Sequence, residues 1–411
     1  MSKFHYLQSV TQWISSKEAK DLVEKELQYH IQKKIKELEE KGFTKQDAER
    51  KAIEEMGNPV TVGKRFNQLY KPMFDWVTIG VFLILLLAGY LLLFLLEDSG
   101  FHLSWLNKSI SIGIGMIVAV FIMFSNYRVW EKYKMPLLIG AVAFLLFFVL
   151  HKKYGVLTSW FGTTNGRPYF MKPILDSTMM IPFFLVAVAG YLAKPINRIQ
   201  WVQLVSCLLL SFLMMISVHN LAMTIALFVM VIGMLLYSKR YRTVGILIIL
   251  PVLGIMFIPL APHYIDRITR YDHYGTTVAK KILSDASLLP QGIPADIVLP
   301  HTELAAVTII YGLGYIISFL LLSALLFLLY RAVRIISEIK SEFGKLIIVG
   351  SSTLFAFQLL YNLGMITGLV PIMAVQVPFL SYGIQPILLN AIFIGILLST
   401  FRRKHLTWKE C

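Results

Sequence analysis

The 411 residues are 56% hydrophobic and 15% charged, with a mean hydropathy of +0.66; this excludes a soluble multidomain enzyme and reads as an all-α integral membrane protein. The net charge is +15: 14 cations against 11 acids leave +3 on residues 1–72, and the other +12 lies mostly beside apolar runs. That placement is a topology signal, so no nucleic-acid partner is expected. Two cysteines, Cys207 in an apolar run and Cys411 at the last position, offer neither a disulfide framework nor metal-ligand spacing.

Residues 1–72 read as a small cytoplasmic helical domain of two to three helices. Leu22, Val23, Leu27, Ile31, Ile35 and Leu38 recur at helical spacing until Gly42. Thr44 opens TKQD, a capping-box-like start with Asp47 three residues on, and the helix it begins runs to Gly57, with Asn58 and Pro59 as the stop. The first apolar run begins only near Met73, so no signal peptide is expected and the amino terminus stays in the cytoplasm.

About ten spans follow in the membrane domain, residues 73–404: roughly 73–96, 109–125, 135–150, 175–193, 200–218, 220–237, 243–261, 303–330, 345–368 and 382–401. With the amino terminus inside, Arg128, Lys132 and Lys134, then Lys194 and Arg198, then Lys239, Arg240 and Arg242, then Arg331, Arg334, Lys340 and Lys345, and finally Arg402, Arg403, Lys404 and Lys409 all fall on the cytoplasmic side. Ten spans with both termini cytoplasmic, including a tail at 405–411, is the self-consistent topology of a multi-pass protein of the cell membrane. The outer face then carries loops at about 151–174 and 262–302 and a shorter one around 369–381. A loop as long as 262–302 is functional or disordered, so chemistry is sought there.

That loop returns to the membrane through VLPHTELAAV, which sets His301 and Glu303 at the threshold of an apolar run. A carboxylate at that boundary, where solvent thins out, is placed as a general base would be. The plain alternative for Glu303 is a solvated residue at a span end or the partner of an external lysine. His301 reads as a cap or hydrogen-bond partner, with direct participation as the alternative. External cations, among them Arg167, Lys172, Arg267 and Arg270, could meet an anionic group, although acids such as Asp176, Asp266 and Asp285 share the same loops. Gln203, Gln358 and Asn362 lie within spans, where they bond between helices or line a cavity.

The stretch YNLGMITGLVPIMAVQVPFLSYG at 361–383 resembles the SEDS (shape, elongation, division, sporulation) family, relatives of FtsW and RodA. Asn362, Gly364, Met365, Gly368, Pro371 and the run Pro378, Phe379, Leu380, Ser381, Tyr382 and Gly383 match its pattern. His301, Thr302, Glu303 and Leu304 stand where the family has His-Thr-Asp-Phe, and Tyr311, Gly312 and Gly314 keep part of a later glycine motif. The first 72 residues resemble the helical prefix of permease-like membrane proteins, which implies a sensory or docking role.

The resemblance implies ten spans and a peptidoglycan glycosyltransferase that polymerises a lipid-linked disaccharide-pentapeptide on the outer face, beside a class B penicillin-binding transpeptidase, for cell shape or division. On it, Glu303 takes the place of the essential acid, and Arg167, Lys172, Arg267, Arg270, His301, Asn362 and Ser381 become candidate substrate contacts. A divalent ion, Mg or Mn, bridging diphosphate and carboxylate is compatible with that chemistry. The chain also departs from the family. Glutamate replaces aspartate at 303, Ile384, Gln385 and Pro386 follow Gly383 in place of Gly-Ser, and TTVAKKILSDASLLPQG replaces the glycine-rich loop. These departures keep open a second reading, a non-catalytic transporter of the same lipid or a scaffold for the transpeptidase.

Overall fold

The computed structural model describes residues 2–97, 103–154, 177–217, 221–247, 272–291 and 302–404, all helix and loop. Its chain divides into two compact units, Met1–Asp75 with Phe401–Cys411, and Trp76–Thr400.

The first unit contains four helices, α1 to α4, over Lys3–Thr11, Lys17–Glu40, Lys45–Glu55 and Pro59–Leu69. Each starts on a side-chain cap: Ser2, Ser16, Thr44 and Asn58 accept from the backbone N–H of His5, Ala19, Asp47 and Val60. Two or three helices were expected, and the difference has a local cause. Asn58-Pro59 stops α3 but also starts α4, because asparagine caps the new first turn and proline at its first positions needs no N–H partner. Tyr6, Leu7 and Val10 of α1 then join Val23, Leu27, Ile31 and Ile53 in one core.

The second unit is a bundle of apolar helices: α5 (Trp76–Ala88), α6 (Leu91–Glu97), α7 (Trp105–Phe124), the single turn α8 (Tyr127–Trp130), α9 (Lys134–Tyr154), α10 (Ile181–Leu192), α11 (Arg198–Ser217), α12 (Leu221–Tyr237), α13 (Asp272–Ser284), α14 (Ala305–Glu338), α15 (Glu342–Thr367) and α16 (Ile384–Arg402). Among the described residues seven helical segments are long and apolar enough to cross a membrane, and the shorter Thr178–Leu192 and Ala222–Tyr237 make nine. These coincide with nine of the ten expected spans. The other, 243–261, lies outside the described residues beyond 247.

Small residues set the packing, as they must where lipid removes the hydrophobic drive between helices. A Cβ on Gly350 of α15 would meet Leu185 at 2.4 Å and Met234 at 2.7 Å, and one on Gly115 of α7 would meet Ile387 of α16 at 2.6 Å. The eighth span runs eight residues past its expected end, because the buried series Leu325, Leu328, Ala332 and Ile335 keeps helical phase through Arg331 and Arg334.

The 262–302 segment, expected as an external loop, is more deeply built where it is described. Helix α13 packs Ala279 and Ile282 against Leu304 and Val307 of the α14 entry and Ile366 of α15. The chain after it then fills a break in α14. At Gly314 (φ 79°, ψ 168°) the helix is interrupted, and the N–H groups of Tyr315 and Ile316 bond the carbonyls of Ser287 (3.1 Å) and Leu288 (3.5 Å). The freed Gly312 carbonyl accepts from the Gln291 N–H at 3.2 Å. The broken ladder is therefore replaced bond for bond by loop backbone, as an irregular stretch inside a span requires.

Candidate functional site

Glu303 lies half-buried in the turn 302–304 that leads into α14. The Thr302 hydroxyl donates to its Oε2, which fixes one carboxylate oxygen. The Thr302 carbonyl in turn accepts from Ser381 Oγ at 3.0 Å, and Ser381 Oγ accepts from the Val377 N–H at 2.9 Å. The motif PFLSYG thus braces the turn that carries the acid.

The brace is anchored on its other side by a residue that sequence reading missed. Lys108, on the first turn of α7 and 1% exposed, donates from Nζ to the carbonyls of Ser381 (3.0 Å) and Phe379 (3.3 Å). Tyr382 adds a second tie to α7, its hydroxyl bonding the backbone N–H and carbonyl of Ser104, each at 3.2 Å. Phe379 takes φ 64°, a conformation costly for any residue but glycine, and is held there by Lys108 on its carbonyl and by Phe82 on its ring, centroids 5.5 Å apart. Gly89, between α5 and α6, leaves the space for this: a Cβ there would lie 2.8 Å from the Phe379 carbonyl and 2.9 Å from Lys108 Nζ. The signal for Lys108 was its phase, since Lys108, Ser111, Ile112 and Gly115 form one buried stripe on α7.

Of the candidate contacts, Arg167, Lys172, Arg267, Arg270 and His301 lie outside the described residues. Ser381 and Glu303 are brought together through Thr302. Ser381 is fully buried with its hydroxyl engaged on both sides, which makes it part of the brace. Asn362 is 3% exposed, and its amide donates to the carbonyls of Gln358 (3.1 Å) and Val375 (3.0 Å), which ties α15 to the 369–383 loop. Its Oδ1 has no hydrogen-bond partner among the described residues.

Two cavities flank this loop. An apolar crevice of about 200 Å³ between α14 and α15 begins at Ala306, one turn past Glu303, continues along Ile309, Ile310 and Phe319, and includes Asn362 and Val377. A smaller polar cavity of about 60 Å³ is lined by Gln358, Gln376 and Gln385 among others. Among the described residues no group of three His, Cys, Asp or Glu side chains is arranged to hold a metal ion.

The chain is similar to known proteins in sequence and in fold. The family described as "Cell cycle protein", which spans FtsW, RodA and SpoVE, matches residues 299–405, the segment holding Glu303, Ser381 and both cavities' loop. The chain is 24% identical over 352 residues to the stage V sporulation protein E of Bacillus subtilis (strain 168), covering 79% of this chain and 94% of that protein. It is 24% identical over 317 residues to the probable peptidoglycan glycosyltransferase FtsW of Geobacter sulfurreducens (strain DL-1 / KN400), 71% of this chain and 83% of that one. Its fold matches a chain solved in work on structural coordination of polymerization and crosslinking by a peptidoglycan synthase complex, with TM-score 0.63 at 18% identity, over 80% of this chain and 98% of the other. The protein is a multi-pass, all-helical membrane protein with the fold of that chain, and its residues 299–405 match the family of FtsW, RodA and SpoVE, to whose members it is similar along most of its length.

Proposed function

We propose that this protein is a peptidoglycan glycosyltransferase that polymerises a lipid-linked disaccharide-pentapeptide at the outer face of the cell membrane, both termini lying in the cytoplasm. The observation that carries the reading is the position of Glu303, a braced carboxylate one turn above an apolar crevice. A lipid-linked sugar needs that pairing: a slot for the chain and a base where the sugar emerges. Glu303 takes the proton of the attacking sugar hydroxyl as its oxygen bonds the anomeric carbon of the donor. The bond from that carbon to the lipid diphosphate breaks, and the diphosphate leaves with the electron pair. Arg167, Lys172, Arg267 and Arg270 are the cations proposed to meet that leaving charge, with His301 beside the base. A Mg or Mn ion, if used, would draw most of its ligands from the diphosphate.

The named relative from Geobacter supports the reaction class, and the synthase complex supports a penicillin-binding transpeptidase as partner. The test is the purified full chain with labelled lipid-linked precursor, alone and with the transpeptidase. Glycan strands are expected from the wild type, with a loss of about 100-fold or more in Glu303→Gln and partial activity in Glu303→Asp. Polymerisation at full rate in Glu303→Gln would remove the base and leave the transporter or scaffold reading in its place.

A further inference from the structure

The departure Ile384-Gln385-Pro386 and the glutamine at 376 have no part in the base or its brace. Both line the smaller cavity. Gln358 from α15, Gln376 from the 369–383 loop and Gln385 from the first turn of α16 meet around about 60 Å³, with Thr178, Met223 and Leu389 completing the wall. Among the described residues no charged side chain lines it. Gln358 is 3% exposed and its Oε1 accepts from Asn390 Nδ2 at 3.1 Å, which holds this side chain in place at the cavity wall. The amides of Gln376 and Gln385 make no hydrogen bond among the described residues. Three side-chain amides, each able to donate and to accept, therefore border one small chamber.

The partition between the two cavities is built from single steps of chain. Val377 lines the apolar crevice and its neighbour Gln376 the polar chamber. On α15, Asn362 faces the crevice and Gln358, one turn earlier, the chamber. Val377 bonds Ser381, which braces Thr302 and so Glu303. The chamber, the crevice and the acid are thus organised by one loop.

We propose that Gln358, Gln376 and Gln385 form a subsite for a planar neutral amide, the acetamido group of an N-acetylated hexosamine on the lipid-linked substrate. An amide is the group that such a lining recognises, since each glutamine can give an N–H to its carbonyl or take its N–H, and the absence of charge discriminates against carboxylate and ammonium ligands. The cavity has room for a group of acetamide size. The identity of the bearer rests on the glycosyltransferase reading; the affinity for the amide does not.

The experiment uses the full chain in detergent and saturation-transfer difference NMR with three probes: the disaccharide of N-acetylglucosamine, its de-N-acetylated counterpart, and a short peptide carrying a side-chain carboxamide. Saturation of the acetyl methyl is expected in the wild type and in Glu303→Gln, absent for the de-N-acetylated sugar, and lost in Gln376→Leu/Gln385→Leu. Gln385→Glu, isosteric and half-exposed, should weaken the signal without disturbing the fold, and where polymerisation is measurable it should raise KM about tenfold at unchanged kcat. Equal saturation in wild type and both variants overturns the subsite, and saturation of the peptide alone overturns the sugar assignment. A wild type that binds the disaccharide but makes no glycan overturns the polymerase reading and leaves the subsite standing.

Discussion

The Lys108 ammonium and the Ser381 carbonyl meet at 3.0 Å, 273 residues apart in sequence and both buried. A lysine in that setting is costly to desolvate, and its two bonds to backbone carbonyls offset part of that cost. Lys108→Met should release Phe379 from its positive φ and loosen the turn carrying Glu303. We expect polymerisation to fall about tenfold or more, with the polypeptide still inserted in the membrane. Arginine should not rescue, since Gly89 leaves no room for a larger head. Gly89→Ala should reproduce the defect although it removes no charge, and wild-type activity in Gly89→Ala would show that Lys108 is not confined as described.

Gly314 provides a separate check on the loop that enters α14. Its φ of 79° with ψ of 168° is open to glycine alone, and a Cβ would stand 2.5 Å from the Leu288 carbonyl. Gly314→Ala should cost about 1–3 kcal/mol and expel the 285–291 segment from the break. Faster amide exchange confined to Tyr315, Ile316 and Gln291 is the expected signature. Unchanged exchange there would contradict the bond-for-bond replacement.

The same loop turns two leucines outward: Leu288 and Leu289 are 66% and 67% exposed. Gly314, which they flank, is nine residues into α14, roughly 14 Å along the helix, so these side chains should contact acyl chains. A tryptophan placed at 288 or 289 should be quenched by lipids brominated on the tail, and aspartate at either position should cost about 2–3 kcal/mol of stability in bilayers. Quenching by an aqueous agent instead would put the loop outside the membrane.

Span positions were legible in the sequence because twenty-residue apolar runs and flanking cations are direct readouts of bilayer thickness and topology. Glu303 was legible for the same reason, as a charge where charge is expensive. Lys108 was not, because a cation one turn into a span looks like a boundary residue until the helical phase from its Ser104 cap is fixed. The backbone role of the loop at 285–291 was hidden too: its meaning depends on a break at Gly314, and a lone glycine in an apolar run announces no partner. Gln376 and Gln385 read only as departures from a pattern, since their convergence with Gln358 is set by how α15 and α16 pack.

The amino-terminal unit carries its own testable bond. Arg403 Nε and Nη2 donate to Glu18 Oε2 and Oε1 at 2.8 and 2.9 Å, a two-pronged pair in which the arginine side chain is 5% exposed and the glutamate 36%. Glu18 lies in the first turn of α2, where the helix dipole favours an acid, so the charge is stabilised twice. Removing it leaves a buried guanidinium short of its anion, and with Glu18 partly screened by solvent the loss should be about 1–3 kcal/mol. Limited proteolysis of the intact chain should then cut within residues 1–75 faster in Glu18→Gln than in wild type. Arg403→Lys should be almost as susceptible, because a single ammonium cannot reproduce the fork. The exchanged pair Glu18→Arg/Arg403→Glu would recover only part of the protection, since it puts a cation at the start of α2; resistance equal to wild type in Glu18→Gln would mean that the pair contributes nothing to this unit.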